Sequence, residues 1–134
     1  MIVVAIVGIL AVIAYPVYGQ YIIRSHRTDG KNAVLDLASR EERFFSVNNA
    51  YTDNAVALGY GANTAFPINV GATEKSYYSL TATFTTTPPS YIATATPIGS
   101  QTSDTTCYTY KIDQSGTQAN LNPSGNSLAT TGCW

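Results

Sequence analysis

Charge is scarce in this 134-residue sequence: only 11% of the residues are Asp, Glu, Lys or Arg, and none of them lies between Met1 and Ile23. Histidine, methionine and tryptophan occur once each, and cysteine twice. With His26 alone, no glycine-rich phosphate loop and no nucleophile, base and acid that the sequence places together, an enzyme is not expected. His26 stands among charged neighbours and reads as surface. No other soft ligand accompanies the two cysteines, so neither a metal site nor a cofactor is expected. The net charge of -1 lacks the basic excess that phosphate binding draws on, and Lys111 is the only cation in residues 100–134. Any DNA-binding face would have to be a local patch.

What is present falls into three zones. Residues 1–23 are apolar, residues 24–43 hold nine of the fifteen charges, and residues 50–134 hold the other six. Seventeen of the eighteen threonines lie after residue 50, interleaved with most of the ten tyrosines, a mixture that favours strands. The chain reads helix first and sheet second.

The front stretch would extend about 35 Å as a helix, enough to cross the ~30 Å hydrocarbon layer of a bilayer, so a membrane phase is expected. A cleaved secretory signal would need a basic start, and there is none. Gly8 and Pro16 interrupt the run and predict a looser or bent helix, since an interior proline costs roughly 3 kcal/mol. A plain membrane anchor would tolerate such a kink as well. After Ile23 the pattern becomes amphipathic. Val34, Leu37 and Ala38 share a face, Glu41 interrupts it, and Phe44 and Phe45 resume it, so these apolar residues are expected to pack on a sheet. On the opposite face Asp36 and Arg40 are spaced for an ion pair. Helix signals fade at Asn48 and Asn49. A helix over residues 1–47 would span about 70 Å, more than one small domain can cover, and self-assembly is the preferred reading.

The front residues resemble the type IV pilin signature. Met1-Ile2-Val3-Val4-Ala5-Ile6-Val7-Gly8-Ile9-Leu10-Ala11 matches the stretch that follows the family's opening Phe-Thr-Leu-Ile-Glu-Leu, and Pro16 stands where the family places its proline. Residues 24–44 and the closing Cys133-Trp134 are similar to the PilE-type branch. The resemblance implies that the chain begins inside the mature protein, without the opening six residues that include a methylated first residue and a glutamate. It further implies a precursor held in the inner membrane by residues 1–23, then handed by the pilus assembly machinery to an extracellular helical filament of identical subunits. Ile2, Val3, Val4, Ile6, Val7, Gly8, Ile9, Leu10, Ala11 and Ile13 would pack in the core of that filament, where small residues allow close approach.

The remaining residues, 24–134, form the expected globular domain: amphipathic helix 24–48, long loop 49–76, sheet 77–122 and a disulfide-bounded region 107–133. Tyr78, Leu80, Ala82 and Phe84 alternate with Ser79, Thr81, Thr83 and Thr85, as a half-buried strand does. Pro88-Pro89 turns into a strand from Tyr91 to Thr96. A third strand runs from Cys107 to Asp113 with Tyr108, Tyr110 and Ile112 on one face, and Gln114-Ser115-Gly116-Thr117 turns into a fourth near Ala119 to Leu121. In an exported chain Cys107 and Cys133 most simply form one bridge, contributing about 3 kcal/mol by loop closure. The fold class is therefore α+β, a long helix on an antiparallel sheet of about four strands. The expected function is that of a pilus subunit serving adhesion, motility or uptake. Host surface, phage or DNA are further conceivable partners. A minor or DNA-uptake pilin and a pseudopilin of type II secretion are the alternatives.

Overall fold

The computed structural model describes residues 2–72, 75–128 and 132–134; within the helix, the side chains of residues 5, 9 and 11–17 lie outside the described set. A long helix, α1, runs from Ile2 to Asn48, and its helical span continues through Gly8 and Pro16. A proline removes one backbone hydrogen bond but leaves those on either side intact, and the flanking turns here continue the helical assignment. At the far end Asn49 takes a left-handed conformation (φ 52°) and donates its N–H to Phe45 O at 2.8 Å, while Asn48 Nδ2 donates to Phe44 O at 3.0 Å. Asn49 thereby satisfies one of the carbonyls that the last turn leaves open, and Asn48 adds a second donor to the turn before it.

Among the described residues the sheet has six strands in simple sequential order: β1 (Ile68–Ala72), β2 (Lys75–Thr86), β3 (Pro89–Pro97), β4 (Thr109–Asp113), β5 (Gln118–Leu121) and β6 (Ser127–Leu128). All neighbours are antiparallel, with Leu80 opposite Ala95, Ala93 opposite Ile112 and Tyr110 opposite Asn120. The count of about four strands is thus corrected to six. The long loop ends at Pro67, because Ile68, Asn69 and Val70 add an edge strand whose register shifts at Gly71. Gly71, at φ 153°, lies so close to the β2 backbone that a Cβ would come within 2.6 Å of Lys75 O. A short 3-10 turn, Gly99–Ser103, joins β3 to the approach of β4.

Helix and sheet meet through one apolar layer. Val34, Leu37 and Ala38 are buried, Ala33, Phe44 and Phe45 pack against them half-buried, and the sheet offers Tyr78, Leu80, Ala82, Tyr91, Ala93, Ala95, Tyr110 and Ile112. Gly30 belongs to the same face: a Cβ there would stand 2.9 Å from the Tyr78 ring, so the glycine makes room for the tyrosine. Two alternating expectations need correction. Phe84 is 39% exposed rather than buried: burial along β2 stops after Ala82, although Tyr91, opposite Phe84, is covered by Tyr51. Tyr108 precedes β4 and is half-buried.

The loop after the helix is pinned back onto it. Arg40 Nη1 donates to the main-chain oxygens of Leu58 and Gly59, both at 3.0 Å, while its Nε donates to Asp36 at 2.7 Å. The Arg40 guanidinium also lies 4.4 Å from the centre of the Tyr60 ring, whose hydroxyl donates to Asp36.

Candidate functional site

The front of α1 projects with its apolar side chains in the open. Ile2, Val3, Val4, Ile6, Val7 and Leu10 are between 52% and 78% exposed, and nothing lies within 4 Å of the position a Cβ would take at Gly8. Ile9, Ala11, Ile13 and Pro16 belong to the same stretch, but their side chains are outside the described residues. Among the described residues no helix is long and apolar enough to cross a membrane; residues 11–17, in the middle of the expected span, have side chains outside that set.

A buried polar joint sets where this rod leaves the globule. Gln101, in the 3-10 turn, is fully buried; its Nε2 donates to Ile23 O at 3.1 Å and to Tyr78 Oη at 3.0 Å. Its Oε1 accepts from His26 Nδ1 at 3.3 Å. His26 is not the free surface residue expected: it stacks on Tyr77 with ring centres 3.5 Å apart. The next residue, Arg27, forks onto Asp104 with contacts of 2.7 and 2.9 Å, and this bond raises the guanidinium's affinity for its proton. Asp104 also accepts the N–H groups of Thr106 and Cys107, so a single carboxylate ties the helix to the start of the disulfide region. A buried pair of this kind is favourable only because the remaining lone pairs are satisfied as well.

The disulfide joins Cys107 to Cys133, and both cysteines are buried. Beyond it Trp134 packs edge-on against Tyr110 and donates Nε1–H to Ala119 O, so the chain end is anchored on the sheet. Between the tail and the helix lies a cleft of about 390 Å³ lined by Gln20, Arg24, Arg27, Lys31, Thr106 and Cys133 among others. At the opposite end of the helix–sheet contact, Glu41 is fully buried. Its Oε2 accepts Thr52 N–H at 3.2 Å, and its Oε1 has no partner among the described residues. Burial, aided by the nearby charges of Glu42 and Asp53, outweighs that hydrogen bond and pushes its pKa up to about 7. Among the described residues no group of three or more His, Cys, Asp or Glu is placed to hold a metal ion.

A projecting greasy rod on a disulfide-closed sheet defines a class of protein, and the comparisons with known proteins agree on it. Residues 16–111, more than two thirds of the chain, match the family described as "Type IV minor pilin ComP, DNA uptake sequence receptor". Over 60 residues the chain is 40% identical to the Type IV major pilin protein PilA of Myxococcus xanthus, a match that takes in 45% of this chain and 27% of that protein. The chain thus spans about a quarter of that curated relative's length. Its fold is that of a type IV pilin from Shewanella oneidensis, with a TM-score of 0.54 over 84% of this chain and 97% of the other at 21% identity. The chain belongs to the type IV pilins, in the family of the minor pilin ComP. Pilins are structural rather than enzymatic and are assembled into pilus filaments.

Glu41, Gln101 and Asp104 escaped the sequence reading as functional positions. For Glu41 a signal existed, since a carboxylate on an apolar stripe is either a solvent-facing gap or a buried group, and the stripe resumes on both sides of it. Gln101 and Asp104 lie in a run of Ser, Thr and Asp without periodicity, and their partners on the helix are 75 to 78 positions away.

Proposed function

We propose that this chain is a structural subunit of a type IV pilus, held first in the inner membrane by the front of α1 and then drawn by the assembly machinery into a filament whose core is that same surface. The observation that carries the reading is the row of open apolar side chains from Ile2 to Leu10. Exposed apolar surface of that extent needs lipid or copies of itself. Moving from bilayer to helix bundle exchanges one dry environment for another, so close packing supplies the gain. Loosening of α1 between Gly8 and Pro16 within the bundle would let the filament stretch. Imaging of sheared surface filaments tests the proposal: the wild-type chain should be found in them, and Gly8→Phe should abolish them while the sheet domain still folds. Intact filaments from Gly8→Phe would count against the packing.

A second reading, a minor pilin that presents a DNA-binding surface during uptake, is favoured by the match of residues 16–111 to a family described as a DNA uptake sequence receptor. Salt-sensitive retardation of a DNA duplex by the purified chain in detergent would support it, since phosphate contacts release counterions.

A further inference from the structure

Two like-charged clusters lie towards opposite ends of the part of α1 that packs on the sheet, and neither is fully neutralised within the subunit. In the cleft beside the disulfide tail, Arg24, Arg27 and Lys31 follow one another at helical spacing. Asp104 takes up Arg27, whereas among the described residues Arg24 and Lys31 have no carboxylate within ion-pair distance. The second cluster is the corner where α1 passes into the loop. There Glu42 and Asp53 are exposed beside the buried Glu41, and no cation pairs with any of the three among the described residues. Like charges at such spacing repel within each cluster. Eleven residues separate Lys31 from Glu42 and eighteen separate Arg24 from Glu42, both close to whole numbers of turns, so all three side chains leave the helix on nearly the same side, about 16 and 27 Å apart along the axis.

We propose that the basic cleft receives the Glu42–Asp53 corner of a second copy of this chain, parallel to the first and displaced along the helix axis by about 16 to 27 Å. The inference rests on the polymerisation reading above and adds to it the register between neighbours. Copies side by side without displacement would set Arg24 and Lys31 against themselves; the displacement exchanges that repulsion for attraction and accounts for both clusters at once. It also lays the apolar front of the copy that offers the cleft along Tyr18 and Tyr21 of the copy that offers the corner, both exposed on the lone subunit. A nucleic acid phosphate would suit the cleft but would leave the acidic corner without a role.

Zero-length carbodiimide cross-linking of isolated filaments tests the pairing in the unaltered protein. Peptides joining Lys31 to Glu42 or Asp53 are expected. Within one subunit Lys31 and Glu42 are about 16 Å apart along the helix, beyond direct amide formation, so such a product reports two copies. In cells, Arg24→Glu and Glu42→Lys should each lower the ratio of sheared to membrane-retained pilin about tenfold, and the double exchange should restore it to within about threefold of wild type. Asp53→Lys replaces Glu42→Lys if loss of the Tyr51 hydrogen bond to Glu42 disturbs the fold. Filaments that form normally without the cross-link, or a double variant no better than the singles, overturn the pairing while leaving polymerisation standing. Arg24→Glu filaments of normal yield that have lost DNA retardation also overturn it and give the cleft to a polyanion. A wild-type chain that never leaves the membrane overturns both proposals.

Discussion

Gln101 Nε2 donates to the main-chain oxygen of Ile23, 3.1 Å away, near the end of the stretch over which the rod meets the globule. The same amide reaches Tyr78, so helix, sheet and 3-10 turn converge on one side chain. Gln101→Leu keeps much of the volume and removes every one of these bonds, leaving the Tyr78 hydroxyl unpaired in the interior. A loss of about 2 kcal/mol is expected, together with faster amide exchange in residues 20–27, measured by thermal unfolding and hydrogen exchange of the full chain in detergent. Unchanged exchange there would show that the joint does not hold the rod.

Glu41 makes stability depend on pH in the direction opposite to a salt-bridged acid. Its ordinary value of 4.5 rises to about 7 in the fold, so between those limits the folded state binds the proton that the unfolded state releases. The contribution is full below about 4.5 and is lost as pH rises through about 7, a swing on the order of 3 kcal/mol. Glu41→Gln keeps an acceptor for Thr52 N–H and carries no proton to lose. Melting curves at pH 5 and pH 8 should therefore separate for the wild type more than for the variant; parallel pH profiles would refute the assignment.

Gly30 and Tyr78 give a test of packing against propensity. Alanine is favoured over glycine inside a helix by about 1 kcal/mol, yet the added Cβ would meet the Tyr78 ring at 2.9 Å, and that ring is fully buried. Overpacking should win, for a net loss of about 1 to 2 kcal/mol by denaturant unfolding.

Removing the bridge with Cys107→Ser and Cys133→Ser together should cost about 3 kcal/mol through the freed loop. Trp134 is the only tryptophan and packs on Tyr110, so its emission reports directly on whether the tail stays docked. A lowered melting temperature with a red shift that precedes global unfolding is the expected result.

Much of this architecture was legible because periodicity reports what one element buries. Val34, Leu37 and Ala38 repeat at helical spacing, and Tyr78, Leu80 and Ala82 at strand spacing, and the two sets meet in the core. Phe84 continues the same alternation but is 39% exposed, and a pattern internal to a strand carries no record of where its cover ends. β1 was too short to register: Ile68, Asn69 and Val70 offer a single alternation between Pro67 and the bulge at Gly71, and only pairing with β2 makes them a strand. The two-residue β6 is similar. The joint at Gln101 depends on contacts with the helix across more than seventy positions, for which no local spacing stands as a sign.

Arg40 grips the loop by the main-chain oxygens of Leu58 and Gly59 rather than by any side chain. Oxygens of that kind are supplied by every amino acid, so substitutions at exposed positions of the loop such as Val56, Ala57 and Ala62 leave the clasp untouched. A lineage under pressure to alter what outsiders encounter could rewrite those positions while the scaffold beneath them stayed the same.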